Sequence, residues 1–466
     1  MTQTVQLPLW LFVLILLFAA VTALSHFLIP SVRWFFRRRL ERAVDRLNKR
    51  LTRPIEPFKL ARRSDMIQRL IYDPEVRQAI LEHARKEGVP ESVAFETAKR
   101  YAREIVPSFS AFTYFSFGTR AARWLANLLY DVRTGADNEK VLRAIPSDAT
   151  VVFIMYHRSN MDYVLVTYLA AQASALSYAV GEWARIWPLS RLFKSMGAFF
   201  IRRKSRGALY RKVLARYVYM ATKGGVTQAI FPEGGLSLNG LLMPPKMGLV
   251  SYVIEAAQSG CKVVFVPVAI NYDRVLEDRV LIAAYERGDR RFGARVSVLL
   301  QFIAQKIWLA VRRKFVRFGA AAVVFGPHIP LETYSLPTDL KEVADDLVMR
   351  IRALMPALAV PLLARHLLES DEGLSEDTLV VRLTNDLAKA QLPDLEPALD
   401  PAAMVATGLG LLKKRGMVGQ STGHWRAVAA EQKTLSFYAN SISHHFSPEP
   451  TFDAAPAKKI SAIARS

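Results

Sequence analysis

Residues 150–156, TVVFIMY, run without a break into residues 157–163, HRSNMDY. The first seven are apolar on every position but one and rich in β-branched side chains. A strand apolar on both faces needs cover on both faces, which is the mark of a parallel sheet layered between helices. The same reading applies downstream to GAFFI (197–201), TQAIF (227–231), KVVFVPVAI (262–270) and AAVVFGPHI (321–329). Between these runs lie helical patterns at Met161–Ala173, Gly207–Thr222 and Lys246–Ser259. Strand–helix alternation of this kind predicts an α/β fold, a mostly parallel sheet covered by helices.

Outward from this layer the pattern changes. Residues 30–145 show apolar positions at helical spacing, as in MIQRLIYDPEVRQAILEHARKEG (66–88). Pro54, Pro57, Pro90 and Pro107 punctuate them. Residues 341–446 turn helical again, and residues 447–466 have the composition of a disordered tail. The segment Leu300–Phe318 is an amphipathic basic helix, able to rest on a membrane surface or to pack on the domain. The expected organisation is an anchor at 7–29, a helical region at 30–145, the α/β domain at 146–340, a helical region at 341–446 and the tail.

The anchor is LPLWLFVLILLFAAVTALSHFLI (7–29), which contains no Asp, Glu, Lys or Arg. A helix of that length spans the roughly 30 Å apolar core of a bilayer. Arg33, Arg37, Arg38, Arg39 and Arg42 follow it and hold the downstream end in the cytoplasm. A cleaved signal peptide would carry positive charge before the apolar run rather than after it. The 466-residue chain has a net charge of +22, which favours an anionic partner: nucleic acid, anionic lipid or a phosphorylated substrate. No zinc spacing or RNA-binding signature accompanies the charge, so nucleic acid is disfavoured. With Cys261 as the single cysteine, no intramolecular disulfide is possible.

Chemistry is suggested where strands end. His157 and Asp162 are five positions apart, which in a regular helix puts them on different faces. They meet only if HRSN is a loop and Asp162 lies in the first turn of a helix. The carboxylate then fixes the ring's tautomer and frees the other nitrogen as a general base. A capping aspartate near a structural histidine fits the spacing equally well. Arg202, Arg203 and Lys204 follow GAFFI, and guanidinium forks suit a phosphate. Glu233, Gly234 and Gly235 follow TQAIF, where glycines allow a ligand close to the backbone. Pro267 in VPVAINY (266–272) is expected to shape the pocket. No G-x-S-x-G elbow is present. No metal site is expected.

Taken in order, HRSNMD, GAFFIRR, FPEGG and VPVAINY resemble the four sequence boxes of the glycerolipid acyltransferases. The wording is most similar to the bacterial membrane-bound glycerol-3-phosphate acyltransferases and their mitochondrial and peroxisomal relatives. LLMPPKMG (241–248), VVFGPHIPL (323–331) and ADDLVMRI (344–351) extend the resemblance over roughly 115–380. It implies an enzyme in which His157 deprotonates a glycerol hydroxyl, Asp162 orients His157, and the alkoxide attacks an acyl thioester without an acyl-enzyme. It further implies that Arg203 with Arg202 beside it, Glu233, Gly234 and Gly235 hold the glycerol phosphate, with Lys246 near the phosphate. The implied partners are glycerol 3-phosphate, acyl-CoA or acyl carrier protein as co-substrate, and an anionic phospholipid membrane, with no further cofactor. The implied location is the cell inner membrane, with the catalytic domain facing the cytoplasm.

One position departs from the subgroup, which has arginine after the box-three glycines where this chain has Leu236. Arg202, Arg203, Lys246 or Arg274 can replace that contact. Otherwise the acceptor differs and is lysophosphatidate, dihydroxyacetone phosphate or another lysolipid. A non-catalytic membrane-binding scaffold is the remaining alternative, against which the intact His157 and Asp162 argue.

Overall fold

The computed structural model describes residues 8–17, 38, 42, 44–49, 51–170, 174–181, 189–202, 207–288, 317–334, 340–390, 392–398 and 400–446. The chain divides into two units, Met1–Pro54 and Ile55–Ser466. In the first, residues 9–17 are helical, and Leu9, Trp10, Phe12 and Leu17 are each more than half exposed. Among the described residues no helix is long and apolar enough to cross a membrane. Much of the expected span 7–29 lies outside them, as do residues 300–316 of the basic amphipathic segment and the whole of 447–466.

In the second unit the described residues build a nine-stranded sheet. Its strands are β1 (Asp131–Gly135), β2 (Thr150–Met155), β3 (Ser177–Val180), β4 (Ala198–Phe200), β5 (Gln228–Ile230), β6 (Val263–Tyr272), β7 (Ala320–Phe325), β8 (Ile329–Pro330) and β9 (Leu395–Glu396). Their order is β4-β3-β5-β2-β6-β7-β1-β9, with β8 also against β6. From β4 to β6 all neighbours are parallel. β7 runs antiparallel to β6, and β1 is parallel to β7. A small hairpin, β10 (Val418–Ser421) and β11 (His424–Ala427), stands apart.

The opening strand has the cover its sequence demands. Val151, Phe153 and Met155 join one buried cluster, while Val152, Ile154 and Tyr156 join another on the opposite face. One face is covered by helices that include α1 (Arg63–Ile71), α2 (Pro74–Glu87), α3 (Glu91–Ile105), α6 (Ala208–Lys223), α7 (Gly248–Gln258) and α9 (Leu340–Ala353). The other face is covered by α4 (Thr119–Leu129), α5 (Met161–Leu169), α8 (Asp278–Glu286), α10 (Ala359–Leu368), α11 (Glu376–Lys389), α12 (Pro401–Lys414) and α13 (Gln432–Ala439).

Two differences from the sequence reading have a common cause. The flanks are not wholly helical: β1 lies within 30–145, and β9 with the hairpin within 341–446. The polar DVRTG carries too few apolar side chains to read as a strand, yet β7 needs a hydrogen-bonding neighbour and takes β1. Pro267 is also not at a strand end. It is the fifth residue of β6, between the stretches paired with β8 and with β7, where a strand tolerates a residue without an N–H.

Candidate active site

β2 stops at Met155, and two residues later His157 begins the loop that leads into α5. Asp162 is the second residue of α5, so the loop folds its carboxylate back onto the histidine. His157 Nδ1 lies 2.9 Å from Asp162 Oδ2, with both side chains buried. The same oxygen accepts the backbone N–H groups of Arg158 at 2.7 Å and Ser159 at 3.0 Å. The other oxygen, Oδ1, accepts the Tyr272 hydroxyl at 2.5 Å. With Nδ1–H donating to a carboxylate so fully used, the ring presents Nε2 as a lone pair. Phe231 and Tyr163 fix the ring plane, with centroids 4.3 and 5.3 Å away.

His157 opens on a cavity of about 250 Å³ at the carboxyl ends of the parallel strands, where ligands of open α/β sheets bind. Gly234, Gly235 and Lys246 line it together with Arg202 and Tyr252. Gly234 has a φ of +67°, a conformation natural to glycine. A Cβ there would lie 3.3 Å from the Lys246 side chain, which therefore crosses the bare glycine backbone. Apolar side chains from α6 and α7, Leu214 and Leu249, form the deeper wall.

Glu233 is placed elsewhere than the resemblance implied. It is 1% exposed and lies behind the histidine rather than in the cavity wall. Its Oε2 accepts the His157 N–H at 3.0 Å and its Oε1 the Met243 N–H at 2.8 Å. It thus clamps the histidine backbone to the loop after β5. Burial pushes its pKa up to about 8 despite these two amides and the nearby Arg158.

Arg202 reaches the cavity, but its fork is engaged by Glu104 at the end of α3, with Nε–Oε1 at 2.8 Å and Nη2–Oε2 at 2.7 Å. It also stacks over Tyr101, 5.2 Å from the ring centroid. Its visible work is to tie the end of β4 to α3. Arg203 and Lys204 lie outside the described residues. Arg274 lines a different cavity from His157.

The architecture and the boxes meet in the comparisons with known proteins. Residues 138–271, from just before β2 to the end of β6, match the family model Acyltransferase, and residues 307–454 match the glycerol-3-phosphate acyltransferase C-terminal region. A glycerol-3-phosphate acyltransferase of Aeromonas hydrophila subsp. hydrophila is 28% identical over 445 residues, 88% of this chain and 53% of that protein. One from Shewanella sp. (strain ANA-3) is 30% identical over 347 residues, 72% of this chain and 40% of that protein. The chain thus carries an acyltransferase domain and a glycerol-3-phosphate acyltransferase C-terminal region. It spans about half the length or less of these two relatives. Among solved structures, the 1-acyl-sn-glycerophosphate acyltransferase from Thermotoga maritima aligns at 18% identity and a TM-score of 0.32, covering 59% of this chain and 92% of that one.

Three residues around the His157 loop escape a reading of the boxes. Tyr272 ends VPVAINY, and β6 runs four residues past the level where Val268 pairs with Met155 at the end of β2. Its hydroxyl therefore overhangs the histidine loop. Burial and the Asp162 carboxylate push its pKa well above the usual tyrosine value, so it remains a donor. Glu277 accepts Ser159 Oγ at 2.8 Å and Asn160 Nδ2 at 3.0 Å, bracing the loop from outside. Arg158, 1% exposed, donates from Nη1 to Gly240 O at 2.6 Å and lies over the Phe437 ring of α13. The parity of β6 relative to β2 was available for finding Tyr272. Glu277 and Arg158 carry no local signal.

Proposed function

We propose that the chain transfers an acyl group from a thioester to the 1-hydroxyl of glycerol 3-phosphate, giving lysophosphatidate. The observation that carries this reading is a histidine whose Nδ1 is held by Asp162 and whose ring opens on a cavity also lined by Lys246 and Gly234. His157 Nε2 takes the proton of the attacking hydroxyl. The oxygen adds to the thioester carbonyl, and the tetrahedral intermediate collapses with cleavage of C–S. The thiolate leaves as a thiol with the proton held by the imidazolium. Asp162 stabilises that imidazolium, in a role general to His–carboxylate pairs. Lys246 and Arg203 are assigned to the acceptor phosphate, and the apolar wall at Leu214 and Leu249 to the start of the acyl chain. The donor is acyl-CoA or acyl carrier protein, both acidic and suited to a chain of net charge +22.

The apolar run 7–29 is assigned as an uncleaved anchor holding the catalytic unit on the cytoplasmic face of the inner membrane. Its uncharged composition and the exposed Leu9, Trp10 and Phe12 favour this. Extraction separates the outcomes: an anchored protein needs detergent, whereas a peripheral one leaves the membrane in high salt.

The test of the reaction is an acceptor panel. Glycerol 3-phosphate, dihydroxyacetone phosphate and lysophosphatidate are each offered with one labelled acyl-CoA, to the wild type and to His157→Ala. Turnover with glycerol 3-phosphate that vanishes in the variant supports the assignment, and unchanged turnover in the variant refutes it. Leu236 keeps one second reading in play, the same chemistry on another acceptor, which the panel would reveal as a preference for that compound.

A further inference from the structure

A second cavity sits at the same sheet edge, on the far side of Tyr272. It measures about 460 Å³ and lies between the β1 and β7 ends and one face of α12. That size falls within the usual range for small-molecule sites. Its α12 wall is Ala403, Thr407 and Gly410 with Leu411, a shallow apolar floor that closes toward Lys414. A smaller pocket continues from it, sharing Asp273, Arg317, Leu411 and Lys414 and adding Arg274 and Arg415. The groove thus has a mostly apolar α12 wall, with Asp131, Arg133 and Asp400 also lining it and cations gathered at the Lys414 end.

Each carboxylate of the lining already has a partner. Asp131 pairs with Arg133 at 3.0 Å, and Asp400 caps α12 through the Ala403 N–H at 2.8 Å. Asp273 accepts the Ala320 and Val360 N–H groups at 2.7 and 2.8 Å. Arg415 is occupied by Asp278 and Tyr438. Lys414 has an ordinary reason to sit in the last turn of a helix, where cations meet the dipole. Arg274 has no such reason. Its Nε is buried without a hydrogen-bond partner among the described residues, and its guanidinium lies 4.4 Å over the Phe318 ring. Burial, and then the nearby Arg415 cation, both lower its pKa, so two like charges crowd this end of the groove.

Two glycines on α12 separate packing from open space. A Cβ on Gly408 would lie 2.4 Å from Leu363 Cδ1 and 3.2 Å from Ala359 Cβ, so that glycine serves the close packing of α12 on α10. A Cβ on Gly410 would meet nothing within 4 Å. A glycine inside a helix is destabilising relative to alanine, and no neighbour requires Gly410. It lines the groove.

We infer that this groove is a binding site for a single-chain anionic amphiphile. Its head meets Arg274, Arg317 and Lys414, and its aliphatic chain lies along Ala403, Thr407 and Gly410. The occupant's chemistry is a phosphate or a carboxylate on one acyl chain. The site is separate from the His157 cavity, and the inference does not depend on which acceptor that cavity uses. It adjoins the catalytic loop through β6, because Asp273 and Arg274 directly follow Tyr272, and the Tyr130 hydroxyl bonds Arg274 O while its ring packs on Tyr272.

The test is photolabelling of the full chain in neutral phosphatidylcholine nanodiscs. Three probes carry a diazirine on the acyl chain: a monoacylglycerol phosphate, a fatty acid and an uncharged monoacylglycerol. Adducts are mapped by mass spectrometry. An anionic probe is expected to mark the 401–415 peptide and the uncharged probe to leave it unmarked; whichever anionic probe marks it identifies the head as phosphate or carboxylate. Gly410→Leu fills the groove, and Arg274→Gln with Arg317→Gln removes its charge. Each is expected to cut labelling of that peptide about tenfold, as for loss of one or two charge-assisted contacts. Labelling near His157 should be unchanged. No adduct at 401–415, equal marking by the uncharged probe, or indifference to both variants would overturn the inference.

Discussion

Asp162 and Asp273 are both buried carboxylates near the carboxyl end of β6, and they do unlike work. Asp162 collects two backbone amides, the Tyr272 hydroxyl and His157 Nδ1. Asp273 collects two backbone amides, one opening β7 and one in the first turn of α10. One gathers a loop around a ring able to move a proton, and the other joins two elements and stops there. Burial raises the Asp273 pKa to about 6, and its partners are backbone amides alone. The partner's chemistry, rather than burial, separates the two carboxylates.

The largest effect expected from that contrast is at Asp162. Asp162→Asn offers an amide where the ring needs an acceptor and favours the wrong tautomer, so kcat should fall about 10³–10⁴-fold. A loss under tenfold would erase the distinction. Glu233 comes next, through stability. Its folded pKa of about 8 lies above the ordinary 4.5. The stability it contributes is therefore full below pH 4.5 and is lost as pH rises toward 8, with a slope of at most about 1.4 kcal/mol per pH unit. Chemical denaturation across that window should show the decline, and Glu233→Gln should flatten it.

Asp273→Asn should leave kcat unchanged while costing about 1–3 kcal/mol of stability, because one amide loses its acceptor. A fall in kcat with intact stability would make the two acids alike. Tyr272→Phe should lower kcat about tenfold with little change in KM, since it removes one donor from Asp162. The smallest effect belongs to the pair at the end of β4. Arg202→Ala and Glu104→Ala should each destabilise by about 1 kcal/mol, and the double variant by less than their sum. Additive losses would show that the two do not act together.

The sequence was most legible where local pattern and environment agree. TVVFIMY reads as a strand because both its faces are covered, and the His157–Asp162 loop follows from a spacing that a continuous helix cannot satisfy. β1 was not legible, since DVRTG owes its strand conformation to a place beside β7 rather than to its own side chains. Site residues divide in the same way. His157, Gly234 and Lys246 are brought together by short segments at strand ends. Arg202 was read from its local run of basic residues, but its fork answers to Glu104, 98 positions earlier. Glu277 braces Ser159 from 118 positions away, a pairing that only the folded chain displays.

The close approach of Gly240 to α13 bears on how the His157 loop is assembled. A Cβ at Gly240 would lie 1.9 Å from the Phe437 carbonyl oxygen, and the Gly240 carbonyl in turn receives the guanidinium of Arg158, the residue beside His157. α13 thus forms the backstop for a loop some 270 positions earlier in the chain. A nascent chain still lacking α13 would have its histidine and aspartate already synthesised, without that support behind Arg158. The loop should therefore settle only once α13 has been made, rather than when the α/β layer first emerges.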